Sequence, residues 1–181
     1  MLTDVQRDYL AQSVRPMQII VGALAAGVAT FLVIVLVIVN NDAPSDLLLT
    51  YTAVGFAVVA FAGWLIVPSI VANQARQSIS EGRAPQSAAQ ASIPAEVGAV
   101  GQLASVFQTR LIIANALLEG AAFFTLAVYT IERHYLALVI AAALLLVIVS
   151  QIPTRNRLES WVSDELENIE QMRTQSPGFP P

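Results

Sequence analysis

Glu119 is the residue of this chain whose type and placement could do chemistry inside a membrane. It stands near the middle of Leu111–Ile131, an apolar run long enough to cross a bilayer, and no other charged side chain lies within any such run. A carboxyl group at that depth costs about 2.5–3.5 kcal/mol on insertion scales, so it needs a partner, a proton or a task. Helical geometry puts Ile112, Asn115, Ala122, Phe123 and Leu126 on the same face, because residues three, four and seven apart stack. Asn115 falls one turn before the acid and can hydrogen-bond a protonated carboxyl. Glu119 and Asn115 are therefore the candidate ion- or proton-binding residues.

Small residues surround that acid. Gly120 with Ala121 and Ala122 thins the helix beside it, and the first apolar run offers a matching surface in Gly22, Ala23, Ala26 and Gly27. Such residues let backbones approach closely in lipid, which makes Gly22, Ala26, Gly27 and Gly120 the expected helix-packing positions. Two readings stay open. In one, Glu119 carries an ion or a proton. In the other it is polar glue, bonding Asn115, Thr30, Thr52 or a backbone carbonyl. Intramembrane acids are functional by default, whereas a proton pathway calls for more than one ionisable station and this chain supplies one.

Other chemistry is thin. The chain has no cysteine, which excludes disulfides, thiolate nucleophiles and cysteine metal sites. Its single histidine, His134, sits beside Glu132 and Arg133 and reads as a loop residue. No two-His metal spacing occurs, no Gly-rich phosphate loop, and no Asp pair or Ser–His combination of an intramembrane protease. No enzymatic activity, cofactor or metal is expected. All nine cationic residues are Arg, and none forms the basic tract that nucleic-acid binding requires.

The elements that must position Glu119 follow from composition. Of 181 residues, 56% are hydrophobic and 12% charged, with a mean hydropathy of +0.65. A soluble domain carries about a quarter charged residues, so this is a membrane composition. Four apolar runs stand out: Met17–Val39 after Pro16, Leu47–Val67 before Pro68, the Glu119 run, and Tyr135–Ile152 before Pro153. A spanning helix takes about 20 residues, which the first three meet and the fourth nearly meets. The first is too long for a signal-peptide core and reads as a retained span. Arginines sort to one side. They occupy the N-terminal tail, the central loop and the C-terminal tail, while the first hairpin loop, residues 40–46, has none and the second has one. The positive-inside rule then places both termini and the central loop in the cytoplasm.

Within the polar segments, Thr3-Asp-Val-Gln6 fits a capping box opening a short helix. Residues 78–87 have little to bury and read as a mobile loop. After Pro94, Val97, Val100, Leu103, Phe107 and Leu111 recur at helical spacing, so an amphipathic helix should run straight into the third span. In the C-terminal tail, Leu158, Trp161, Val162, Leu166, Ile169 and Met172 form an apolar stripe, with five acids over much of the remainder. An acidic polar face suits packing on the central segment or on a partner better than binding a membrane surface. The last six residues, 176–181, read as disordered. Trp64 and Tyr129 read as anchors near span ends.

Shifting the first span by 93 positions aligns Ile19-Ile20, Ala23-Leu24, Gly27, Ala29 and Phe31 with Ile112-Ile113, Ala116-Leu117, Gly120, Ala122 and Phe124, a hint of parallel internal duplication. Ala26 then stands where the second copy has Glu119.

The stretch Thr109-Arg-Leu-Ile-Ile-Ala-Asn-Ala-Leu-Leu-Glu-Gly-Ala-Ala-Phe-Phe124 resembles the ion-carrying helix of the rotary ATP synthase c subunit, where a Thr and an Ala-Leu-x-Glu core accompany the carboxylate. Ala75-Arg-Gln77 is similar to that family's polar-loop signature, which is cytoplasmic. The resemblance is local and implies one role here, Glu119 as the ion carboxylate. This chain departs from the family in its long connection, its sparse glycines in the second span and its two additional helices.

The sequence thus predicts an all-α membrane protein with four transmembrane helices arranged as two hairpins and a cytoplasmic amphipathic C-terminal helix. Its divisions are a tail (1–16), a first hairpin (17–71), a central segment (72–109), a second hairpin (110–153) and the C-terminal helix and tail (154–181). The expected function is non-enzymatic: a multi-pass component of the inner (plasma) membrane that self-assembles or binds a membrane protein partner. The alternative is a proteolipid-like transport component in which Glu119 binds a proton or sodium. A membrane-tethered sensor would need a cytoplasmic ligand pocket, which the sequence does not display.

Overall fold

In the computed structural model, the residues described are 3–39, 47–80 and 97–175, some side chains near the ends of α2 and α5 excepted. The expected mobile loop at 78–87, the first hairpin loop and the disordered tail lie wholly or mostly outside them. Every described element is a helix: α1 (Asp4–Ile38), α2 (Leu48–Ser80), α3 (Gly98–Glu132), α4 (Tyr135–Ser150) and α5 (Arg155–Gln175).

Three of these, α1, α2 and α3, are long and apolar enough to cross a membrane. With 16 residues, α4 is about 24 Å long, short of a hydrocarbon core of about 30 Å. It reaches spanning length only when taken together with α5, from which it is bent by 72°. The bend falls at Pro153, whose ring cannot continue a helix into the preceding turn.

The prolines at 16 and 68 behave differently from expectation. Pro16 lies inside α1 and Pro68 inside α2, where a helix start and a span end were predicted. Each removes one backbone bond, to the carbonyl of Gln12 or of Trp64. The Pro16 stretch is held by packing on both sides, since Leu10, Val14, Met17 and Val21 are buried along one stripe. α1 opens as the capping box foresees: Thr3 N–H donates to Gln6 Oε1 at 3.0 Å and Gln6 N–H to Thr3 Oγ1 at 3.4 Å. The helix it opens runs for 35 residues instead of being short.

The chain divides into two compact units. Unit 1 comprises Met1–Met17, Ser69–Arg110 and Pro153–Pro181; unit 2 comprises Gln18–Pro68 and Leu111–Ile152. In unit 1 the predicted stripe Val97, Val100, Leu103 and Phe107 is buried, and α3 carries it without a break towards Leu111. Leu158, Val162 and Ile169 of α5 are buried there too, while Met172 has no described side chain. One of the five acids departs from the expected pattern: Glu165 is buried, on the same side as that stripe. Trp161 packs on Phe107 with ring centroids 5.2 Å apart, so α5 rests on the central segment's helix. An open cleft of about 980 Å³ lies in this unit between the start of α3, the start of α1 and α5.

In unit 2, α3 is the hub. Half of its most apolar window is buried, against 22% for α1 and 11% for α2. It meets α1 through Phe31–Phe123 (5.5 Å between ring centroids) and α2 through Phe56–Phe124 (5.3 Å). A cluster of Val35, Tyr129 and Ala137, with Phe31, Val39 and Leu138 against it, ties α1, α3 and α4 together. Tyr129 is thus a core residue and not a surface anchor. Trp64 stacks on Phe61 one turn earlier at 5.0 Å.

Candidate functional site

α3 presents its acid where α1 is thinnest. A Cβ placed on Gly27 would stand 3.7 Å from Glu119 Oε1 and 3.6 Å from Phe123 Cζ. Glu119 and Phe123, one turn apart, therefore both reach across to the glycine. Glu119 itself is half-buried, between the fully buried Asn115, Leu118 and Ala122 on one side and the exposed Ala116 and Gly120 on the other.

The small-residue expectations divide. Gly27 does face the neighbouring helix. A Cβ added to Gly22 or Gly120 would meet no atom within 4 Å, and Ala26 is exposed, so among the described residues none of the three packs against a neighbouring helix. The reason lies in helix period: α1 buries Val21, Ala25, Val28 and Val35, and that stripe turns Gly22 and Ala26 away. The sequence reading missed Gly63, where a Cβ would come within 3.3 Å of Leu117 Cδ1 and set α2 against α3.

Asn115 is fully buried, but it does not bond the acid. Its Nδ2 donates back to the Leu111 carbonyl at 2.9 Å, and its Oδ1 is buried without a partner. The Thr52 hydroxyl likewise donates to the Leu48 carbonyl at 2.9 Å, and Thr30 is exposed. None of the three side chains expected to glue Glu119 bonds it.

A second acid carries a role that the sequence reading passed over. Glu132 is the last residue of α3, 4% exposed, and its carboxylate takes hydrogen bonds from the backbone N–H groups of Leu49 (2.7 Å) and Thr50 (2.6 Å). Those are orphan donors of the first turn of α2, whose preceding residue, Leu47, has no side-chain acceptor. One signal was available. A negative charge at the C-terminal end of a helix opposes that helix's dipole, so it calls for another helix's N-terminus nearby. Beyond it, Arg133 adopts φ 54° and donates to the Tyr129 carbonyl at 2.9 Å, an αL helix end. His134 then caps α4, its Nδ1 accepting from Leu136 N–H at 3.3 Å. The lone histidine is a helix cap that turns α3 into α4.

In unit 1, the Arg110 guanidinium lies over Phe107 (5.8 Å) and Trp161 (5.5 Å), a cation–π arrangement that fixes it. The cleft there is lined by Gln6, Arg7, Val97–Val100 and a face of α5 carrying Glu159, Glu167 and Glu170. This is a polar cleft of the kind the sequence did not display. Arg155 pairs with Glu159 across one turn, and that carboxylate holds the guanidinium pKa above its ordinary value. Among the described residues no group of three His, Asp or Glu side chains converges as a metal site would need.

Fold and site define a protein whose described elements are all helical, three to four of them apolar enough to span a membrane, with Glu119 half-buried in the third. No protein-family model, curated protein or solved structure matches the chain.

Proposed function

We propose that this chain is a non-enzymatic, multi-pass component of the inner (plasma) membrane, with both termini cytoplasmic, that assembles with further copies of itself or with a membrane protein partner. One observation carries the reading: Glu119 stands half-buried beside Gly27, unbonded by Asn115, Thr30 or Thr52, next to an exposed surface of Ala26, Ala116 and Gly120. A carboxyl group at bilayer depth demands compensation. Small exposed residues beside it let another helix come close enough to supply a donor. Leucine at position 120 or at position 26 should therefore block assembly while leaving the single chain folded, because no neighbouring atom within the chain obstructs a side chain at Gly120. The assembly state in mild detergent, read by light scattering with co-purifying proteins identified, tests this. A wild-type chain that is monomeric and alone sinks it.

The second reading is ion carriage by Glu119, favoured by the same lack of a bond and by the local likeness to the c-subunit helix. Carbodiimide should then label Glu119 at neutral pH, and sodium ions or a raised pH should protect it. Glu119→Gln behaving as wild type, with no labelling, would leave assembly as the sole reading.

A further inference from the structure

We propose that copies of this chain join head to tail, with the face of α3 that carries Gly120 and Phe124 in one copy packed on the face of α1 that carries Ala26 and Thr30 in the next. This pairing rests on the assembly reading above and makes the partner a second copy. The two halves of the chain repeat at a spacing of 93 residues in structure as well as in sequence. α1 and α3 are each 35 residues long. They leave unit 1 for unit 2 at 17/18 and 110/111, which are 93 positions apart. α1 buries Val21, Ala25, Val28 and Val35, and α3 buries the residue 93 positions beyond each, Ala114, Leu118, Ala121 and Val128. α3, as the hub, buries more besides.

Inside the chain the two repeats meet through unlike faces. Gly27 and Phe31 of α1 meet Glu119 and Phe123 of α3. The counterparts of Gly27 and Phe31 in α3 are Gly120 and Phe124, and those of Glu119 and Phe123 in α1 are Ala26 and Thr30. Each counterpart pair is four residues apart, about 40° around the helix axis, and so forms one face. Both faces stay open among the described residues. Ala26 and Thr30 are exposed, a Cβ on Gly120 would meet nothing within 4 Å, and Phe124 leans on Phe56 with 37% of its surface still free. A contact between unlike faces that leaves both complementary halves free is heterologous. It can be repeated from copy to copy, closing a ring or extending a row. Its direction suits a bilayer as well. From Gly27 beside Glu119 to Val35 in one cluster with Tyr129, the contacts advance together, so α1 and α3 run parallel. The next copy therefore enters with the same orientation in the membrane. Ala26 stands where Glu119 would be, so the joint between copies carries no carboxyl and brings the helices together through small side chains.

The chain has no cysteine, so introduced thiols report contacts without background. Full-length Ala26→Cys and Gly120→Cys chains are co-expressed in one membrane and treated with a short bifunctional thiol reagent. The mixture should yield cross-linked dimer about tenfold more efficiently than either variant alone, because only unlike faces are held together. The double variant Ala26→Cys/Gly120→Cys should give a ladder beyond the dimer. Leu146→Cys, exposed on α4, used in place of Ala26→Cys should fall to the level of the single variants. A single variant that cross-links as well as the mixture, or a Leu146→Cys chain as efficient as Ala26→Cys, would each overturn the proposal. Should Ala26→Cys or Gly120→Cys misfold, the exposed Thr30→Cys or Ala116→Cys one turn away takes its place, with the same outcomes. Light scattering of the wild type separates this pairing from the reading beneath it. A monomeric chain removes both, whereas an assembled chain without the cross-link between positions 26 and 120 removes the pairing alone.

Discussion

Replacing Glu132 by alanine lowers the melting temperature of the detergent-solubilised chain by several degrees, more than any single substitution on the exposed face of α2. The carboxylate closes the first turn of a helix more than eighty residues away, taking the Leu49 and Thr50 N–H groups at 2.7 and 2.6 Å. Charged acceptors make shorter and stronger hydrogen bonds than neutral ones, and both distances are at or just below the short end of that range. They also set a negative charge against the positive end of the α2 dipole. With alanine at 132, the buried Thr50 N–H and the part-buried Leu49 N–H have no acceptor nearby, because Leu47 cannot cap its own helix. Glu132→Gln retains one acceptor oxygen and loses the charge, so it should melt between the wild type and Glu132→Ala.

Amide hydrogen exchange separates this local role from a general loss of packing. Glu132→Ala should speed exchange at Leu49 and Thr50 before it affects the core around Val35, Tyr129 and Ala137. An alanine variant that melts like the wild type, with those two amides still protected, would remove Glu132 from its place as the clasp between α3 and α2. The same clasp explains why α2 keeps its position with 11% of its apolar window buried. Side-chain packing against neighbouring helices is sparse there, and backbone bonding at one end compensates.

Much of the helical content was legible in the sequence because apolar runs and the helical period are strong, local signals. The stripe from Val97 to Leu111 foretold that α3 would begin far ahead of its apolar stretch, and the Thr3–Gln6 box foretold the start of α1. The failures have physical causes. Pro16 and Pro68 are read as boundaries when each is judged by its missing N–H alone. At Pro16 the lost bond is offset by the buried turns on either side, whereas Pro68 stays inside α2 although no residue from 61 to 70 is buried. Glu132 looked like a loop residue because the two amides it serves lie in another helix, and no local pattern records a partner more than eighty positions away. Glu165 was placed on the acidic face of α5 by composition, although helical position puts it beside Leu158, Val162 and Ile169. The small-residue argument found Gly27 as a contact within the chain, while Gly22, Ala26 and Gly120 face away from its described helices, since a glycine says that close approach is possible without saying from which side. Glu119 was legible as a candidate from its setting alone. Its neighbours were not, because Asn115 and Thr52 have nearer backbone carbonyls to bond.

Gly27 offers the sharpest test of that setting. Alanine there should be tolerated, because its methyl group would meet Phe123 Cζ at 3.6 Å and Glu119 Oε1 at 3.7 Å, ordinary contact distances. Leucine should not be, since its remaining carbons must enter space that the Phe123 ring and the Glu119 carboxyl already occupy. Overpacking of this kind costs about 1–3 kcal/mol, a loss of about 2–12 °C in melting temperature for a chain of this size. The side chain with freedom to yield is Glu119, which borders the exposed Ala116 and Gly120, whereas Phe123 is held by Phe31. Gly27→Leu should therefore also push the carboxyl outward and speed its reaction with carbodiimide. Gly22→Leu, with open space at its Cβ position, should melt as the wild type does. If Gly27→Leu matched Gly22→Leu in both stability and labelling, α1 would not be approaching α3 at Glu119, and the acid would need a different compensation from close packing against α1.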